Sequence, residues 1–225
     1  MLKKLLNFLC FSAVLVFIAC VPPPKVMPPL YEESLFTLEE VIARAGSDIG
    51  TLKAITDIRI EKNREPYSFI NASVVMKKPE WVHVRMYQLG ILVRDFVIRD
   101  DVLHVLSGKN DGSLLTFGKE LYSAIFWWEG YRDGVMENRD ETYRISGYSR
   151  EIVISRDTLL PVTQDIRTLN KQIHIEYGAP AGAGDFWYPE SLTIFVDDFT
   201  FTVTVKKLLK NPALGEADFQ VPAGS

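Results

Sequence analysis

Apolar and polar residues alternate along most of this chain. The clearest run is 199–205, where Phe199, Phe201, Val203 and Val205 alternate with Thr200, Thr202 and Thr204. A period of two puts the large apolar side chains on one face of a strand and the threonines on the other. The same alternation, less regular, recurs at 54–61, 68–76, 82–87, 92–98, 102–106, 142–146, 151–155, 162–168, 172–177 and 192–196, which predicts about eleven strands. Short polar breaks such as Asp100-Asp101, Leu169-Asn170 and Asp197-Asp198 join neighbouring runs, so the sheet is expected to be an antiparallel meander.

Two stretches follow a helical period instead. Thr37-Leu38-Glu39-Glu40 is a capping-box pattern, in which the Thr hydroxyl and the Glu carboxylate serve free amides at a helix start. Leu38, Val41, Ile42 and Ala45 then share a face, and Gly46 suits a stop. Between Ser113 and Tyr131, residues Leu114, Phe117, Leu121, Ala124 and Ile125 recur at helical spacing and predict a second helix, lying on the sheet. Four bulky residues in a row, Ile125-Phe126-Trp127-Trp128, cannot all face one side of a helix, so part of this cluster is expected at a rim, a lid or a partner contact. The class is mainly β with α. Such a sheet hides its apolar face either by closing into a barrel or by curving around the helices as an open half-barrel.

The N-terminus departs from this pattern. Lys3 and Lys4 precede an apolar run ending at Ile18 and Ala19, which reads as a secretory signal over 1–19. The run is too short to span a bilayer and meets Pro22, Pro23 and Pro24 at once. Phe17-Ile18-Ala19-Cys20 resembles the bacterial lipobox, making Cys20 the expected lipidated first residue of the mature protein. The only other cysteine, Cys10, lies inside the leader, so acylation also accounts for an otherwise unpaired exported thiol. Two or three acyl chains anchor a protein durably. Residues 20–34, rich in proline, read as an extended tether, and 35–225 as one domain.

Charge narrows the partners. Removing Lys3 and Lys4 takes the formal charge from −4 to −6, which argues against nucleic acid. Little speaks for an enzyme. His83, His104 and His174 stand singly on expected strands with no metal-ligand spacing, and no Gly-x-Ser-x-Gly elbow, phosphate loop or thiol nucleophile is present. The pairs Asp100-Asp101 and Asp197-Asp198 read as turn formers, and the charged run from Arg132 to Glu141 as a solvated loop. No cofactor is called for.

The order of elements resembles the lipoprotein-carrier superfamily of LolA and LolB. The wording that carries the resemblance is the stretch 68–89, two strands flanking Pro79 and Trp81, closed by Leu89-Gly90. It extends to Tyr188-Pro189-Glu190 and the closing Phe219-Gln220-Val221-Pro222, and so spans roughly 37–222. It implies a strongly curved antiparallel half-barrel covered by two or more helices. An anchored chain is most similar to the LolB-like outer-membrane lipoproteins, which receive acylated proteins in an apolar hollow and release them into the membrane.

For this chain the resemblance implies a noncatalytic lipoprotein with acyl chains or acylated lipoproteins as cargo. It also implies a periplasmic carrier protein as a candidate partner and Leu89 as the counterpart of an apolar insertion-loop residue. A hollow of this kind needs an apolar lining that the protein does not fill. Candidates are Phe69, Trp81 and Phe96 early in the chain, Phe126, Trp127 and Trp128 at the helix end, and Trp187, Phe195, Phe199 and Phe201 late in it. The rival reading is a lipid-anchored scaffold of an envelope assembly whose core is filled. Val21, where inner-membrane retention in some bacteria uses Asp, favours the outer membrane, facing the periplasm.

Overall fold

A computed structural model describes residues 27–31, 35–46, 48–109 and 112–221. The expected signal segment and Cys20 lie outside them. The first helix, α1 (Leu38–Gly46), starts on the capping box: Thr37 N–H donates to Glu40 Oε2 at 2.8 Å and Glu40 N–H donates to Thr37 Oγ1 at 3.3 Å. Val41 and Ile42 face the core.

A five-strand meander follows, β1 (Thr51–Lys62), β2 (Glu65–Lys77), β3 (Trp81–Gln88), β4 (Ile91–Arg99) and β5 (Val102–Ser107). The chain then crosses as α2 (Gly112–Ile125) and a 3-10 helix (Trp127–Tyr131) to a second meander. That meander is β6 (Val135–Asn138), β7 (Thr142–Ser146), β8 (Arg150–Ser155), β9 (Pro161–Arg167) and β10 (Gln172–Tyr177). A two-strand flap, β11 (Pro180–Ala183) and β12 (Phe186–Pro189), precedes β13 (Ser191–Val196) and the long β14 (Phe199–Lys210).

Twelve strands form one antiparallel sheet in the order β5-β4-β3-β2-β1-β14-β13-β10-β9-β8-β7-β6. The meanders are joined where β14 pairs with β1, Ile58 opposite Val203 and Ile60 opposite Phe201. The flap accounts for the other two strands beyond the eleven expected from sequence, and β6 for the twelfth of the main sheet. Val135–Asn138 pairs with β7, so part of the charged run expected as a loop is an edge strand.

The sheet stays open, with β5 and β6 as its two edges, but it curls. A methyl group placed on Gly118 of α2 would lie 2.3 Å from Ile98 Cδ1 on β4. Six residues on, the Ala124 carbonyl accepts from Tyr177 on β10 at 3.1 Å. In a flat sheet β4 and β10, six places apart, would be separated by about 29 Å at roughly 4.8 Å per strand. The two helix positions are only about 9 Å apart along the axis. One helix meets both strands because the sheet wraps around it. The inner face is the core: Ile58, Val74, Val84, Phe96, Ile145, Ile152, Ile175, Ile194 and Val203 are all buried there.

Part of the outer face is covered too. Val75, Val97 and Phe219 form a second buried cluster, with Trp81, Leu106, Leu214 and Val221 packed around it. A 3-10 helix (Glu216–Phe219) brings Phe219 onto β2–β4, and both ring nitrogens of His83 face oxygens, the Asp218 carbonyl and Asp95 Oδ1. At the other terminus Pro28 is buried and Tyr31 N–H donates to the Asp157 carbonyl at 2.8 Å. The last described part of the expected tether therefore lies along the domain.

Candidate ligand-binding hollow

The space inside the curl has two compartments. The inner one lies between α2, the 3-10 helix, the centre of the sheet and the flap. Leu52, Ala54 and Val74 line it from the sheet, Trp127 and Trp128 from above, and Phe186, Trp187 and Tyr188 from the flap. Its free volume is only about 60 Å³, against roughly 300 Å³ for the smallest usual ligand sites. Side chains fill it almost completely.

The outer compartment opens where α2 begins, at the ends of β1–β4 and the start of β14. It measures about 450 Å³ and is walled by Ile60, Ile70, Met86, Val93, Leu114, Phe117, Phe199 and Phe201, with Gln88, Arg94 and Ser113 at its polar margin. Beside this mouth the β3–β4 hairpin turns through Leu89 (φ 52°) and Gly90 (φ 79°). Two successive positive-φ residues make a two-residue turn, and Leu89 stands 96% exposed at its tip. A leucine in the left-handed region, without contacts to hold it, is uncommon.

A chain of hydrogen bonds closes the inner compartment on the β9–β10 side. Gln164, fully buried on β9, donates through Nε2 to the Tyr131 hydroxyl at 3.3 Å and accepts at Oε1 from Tyr177 at 2.8 Å. Burial holds the Tyr131 and Tyr177 phenols above their ordinary value, so both remain O–H groups. The single proton of the Tyr177 hydroxyl is shared between Gln164 Oε1 and the Ala124 carbonyl, and the latter contact ties α2 to the sheet.

The structure separates the candidate lining residues. Trp127, Trp128 and Trp187 line the inner compartment, and Phe199 and Phe201 the mouth. Phe96 is fully buried under α2, where Gly118 lets the helix approach it. Phe126 is buried at the helix end, stacked on Tyr122 at 4.7 Å, and borders a different cleft.

Phe69, Trp81 and Phe195 lie on the outer face and line no part of the hollow. Phe69 is opposite Arg59, while its neighbour Ile70 points inward opposite Ile58. Trp81 packs on Phe219 at 5.5 Å, and Phe195 on His174 at 5.8 Å. The expectation that Ile125–Trp128 needs a rim or lid is corrected as well. The backbone leaves the α conformation at Phe126 (φ −96°, ψ 40°) and continues as a 3-10 helix, so Phe126, Trp127 and Trp128 are all buried.

Sequence reasoning missed the flap and Gln164. Its signal was the aromatic run Phe186-Trp187-Tyr188; a single glutamine between strand residues gives none. The carboxylate pairs stand in turns, where Asp101 pairs with Lys119 and Asp197 with Lys171. Among the described residues no group of three or more His, Cys, Asp or Glu is placed to hold a metal.

No protein-family model matches the sequence, and no curated protein does. Solved structures do match. A LolA superfamily protein from Nitrosomonas europaea superposes with a TM-score of 0.59 at 11% identity, over 83% of this chain and 98% of that one. A DUF1329 family protein from Desulfovibrio piger gives 0.55 at 10% identity, over 81% and 95%. At these identities the likeness concerns the fold. The open twelve-stranded sheet wrapped around its crossing helix is thus a fold this chain shares with these two proteins.

Proposed function

We propose that this chain is a noncatalytic lipoprotein, anchored through Cys20 in the outer membrane and facing the periplasm. It binds acyl chains or acylated proteins in its apolar hollow and assists their insertion into the membrane. The observation that carries this reading is the mouth of about 450 Å³, within the usual range of ligand sites, beside a hairpin tip that offers a 96% exposed leucine. An apolar wall the protein leaves unfilled gains dispersion contacts and sheds water when a chain enters. The fold shared with a LolA superfamily protein supports the reading.

The test is uptake of a fluorescent fatty acyl probe by the purified chain. Saturable binding that falls at least tenfold in Phe199→Asn is expected; Phe199 is only half-buried, so the variant should fold. A wild type that takes up no probe overturns the proposal. Anchoring is tested by metabolic acyl labelling lost in Cys20→Ser, and location by membrane fractionation. The filled inner compartment favours a second reading, a lipid-anchored scaffold of an envelope assembly. Cross-linking in cells separates the two: one dominant protein partner for a scaffold, many acylated ones for a carrier.

A further inference from the structure

Across α2 from the apolar hollow lies a polar cleft. Leu121, Ala124 and Ile125 face the hollow; Lys119, Glu120, Tyr122 and Ser123 face the cleft. Its walls come from both ends of the open sheet, with Val82 and Ile98 on one side and Ser149, Arg150, Ile166 and Thr168 on the other. It therefore lies between the two meanders of the open sheet. The inner part measures about 210 Å³ and leads into an outer vestibule of about 420 Å³ that shares Glu80, Tyr122, Ser123, Ser149 and Arg150.

Three charged side chains lining the inner part, the exposed Glu80 and the half-buried Glu120 and Arg150, make no ion pair among the described residues. Glu120 Oε2 is buried and has no hydrogen-bond partner among the described residues. Burial pushes its carboxyl up to about 6 despite the attraction of Arg150, Lys119 and Lys171. Lys119 is engaged with Asp101 and Lys171 with Asp197. Arg150 makes no ion pair with any carboxylate among the described residues, although its charge is the strongest that Glu120 feels. Its placement is built in by two glycines. A methyl group on Gly130 would lie 2.4 Å from Arg150 Nη1, and one on Gly147 3.3 Å from its Cγ. A buried carboxylate oxygen is ordinarily paired, and here it faces the same cavity as a half-buried guanidinium with which it forms no ion pair, an arrangement that suits a ligand carrying both opposite charges.

We propose that this cleft binds a small zwitterion of the phosphoethanolamine type, its phosphate on the Arg150 guanidinium and its ammonium on the Glu120 carboxylate. The planar guanidinium fork matches a phosphate bidentately. An ammonium brings three donors to a carboxylate that has open lone pairs. Ser123, Ser149 and Thr168 add hydroxyls in the same wall. A volume of about 210 Å³ equals roughly seven waters at about 30 Å³ each, enough for a head group and too little for a lipid with its chains. The site is separate from the acyl-binding hollow and stands or falls independently of it.

Calorimetric titration of the full chain in detergent with sn-glycero-3-phosphoethanolamine, which has no acyl chain, tests the proposal. Saturable binding is expected, weakened at least tenfold in Glu120→Gln and in Arg150→Gln. Gly130→Ala keeps both charges but displaces the guanidinium, and should weaken binding by a similar factor. Glycerol 3-phosphate, lacking the ammonium, should bind at least tenfold more weakly and be indifferent to Glu120→Gln. Acyl-probe uptake and thermal melting of the same variants check that they fold. Competition by phosphatidylethanolamine vesicles identifies a lipid head group as the source, and failure to compete a soluble phosphodiester. No saturable binding, or binding unchanged in the Glu120 and Arg150 variants, overturns the proposal.

Discussion

Replacing Gln164 by leucine tests whether the buried network holds the 3-10 helix after α2 against β9 and β10. The side chains are close in volume, so packing changes little. Two hydrogen bonds are lost, at 3.3 Å to Tyr131 and 2.8 Å from Tyr177. Tyr177 keeps an acceptor in the Ala124 carbonyl at 3.1 Å. Tyr131, fully buried, keeps no hydrogen-bond partner among the described residues. A buried hydroxyl left unpaired costs about 1–3 kcal/mol, so Gln164→Leu should lower stability by about 2 kcal/mol. For a domain of this size that is a fall in Tm of roughly 4–8 °C. Removing both partners together, in Gln164→Leu with Tyr131→Phe, leaves no orphan and should recover most of the loss. Urea unfolding of the four proteins of this cycle measures the coupling. A leucine variant as stable as the parent, or a double variant no better than the single, refutes the account.

Three further outcomes are expected. The Glu120 carboxyl, raised by burial from 4.5 to about 6, is protonated in both folded and unfolded chains below pH 4.5. Stability then falls as pH rises toward 6, and above that the penalty is about 2 kcal/mol at roughly 1.4 kcal/mol per pH unit. Glu120→Gln should therefore raise Tm at pH 7.5 and leave it unchanged at pH 4, as calorimetry at the two pH values would show. Phe219→Ala, emptying a fully buried site on the outer face, should cost about 3–5 kcal/mol in urea unfolding and shift the fluorescence of Trp81, which packs against it. Leu89→Asp should leave Tm within the spread of surface changes, about 0.5 kcal/mol, because Asp accepts the positive φ; release of bound acyl probe to vesicles should nevertheless slow at least threefold.

The alternation of β14 or β1 is legible because each residue's face follows from its neighbour, and the capping box of α1 is written in four consecutive residues. Which face of a strand turns inward is not local in this way. β2 has large apolar residues on both faces, Phe69 beside Ile70 and Val74 beside Val75, and its parity is set by pairing with Arg59 and Ile58 on β1. Val75 is buried only because Phe219 returns to cover it from the far end of the chain. Trp81 and Phe195 went to the outer face for the same reason: cross-strand partners, not periods, decided. The flap had no period to read. All four residues of β12 are half-buried, and β11 contains a proline and a glycine, both poor strand formers. The break at Phe126, which buries three aromatics in succession, answers to tertiary packing.

The two compartments make different demands on an acyl chain. The mouth needs no rearrangement, but a chain reaching the inner compartment has to displace a wall, because only about 60 Å³ is free there. The walls are held unequally. Moving α2 together with the 3-10 helix that continues it breaks two buried hydrogen bonds, Tyr177 to the Ala124 carbonyl and Gln164 to Tyr131, each leaving a polar group unpaired at about 1–3 kcal/mol. The flap is fastened by the half-buried Phe186 and Tyr188, which pack against the core, and by Asp185 at 3.6 Å from Lys210. Asp185 is 86% exposed, and such pairs contribute at most about 1 kcal/mol. The inner compartment should then open by movement of the flap, with α2 in place. Hydrogen exchange should find the amides of 181–187 less protected than those of 121–125, and more so when acyl probe is bound. Earlier exchange in α2 would mean that the buried network is not what holds the hollow shut.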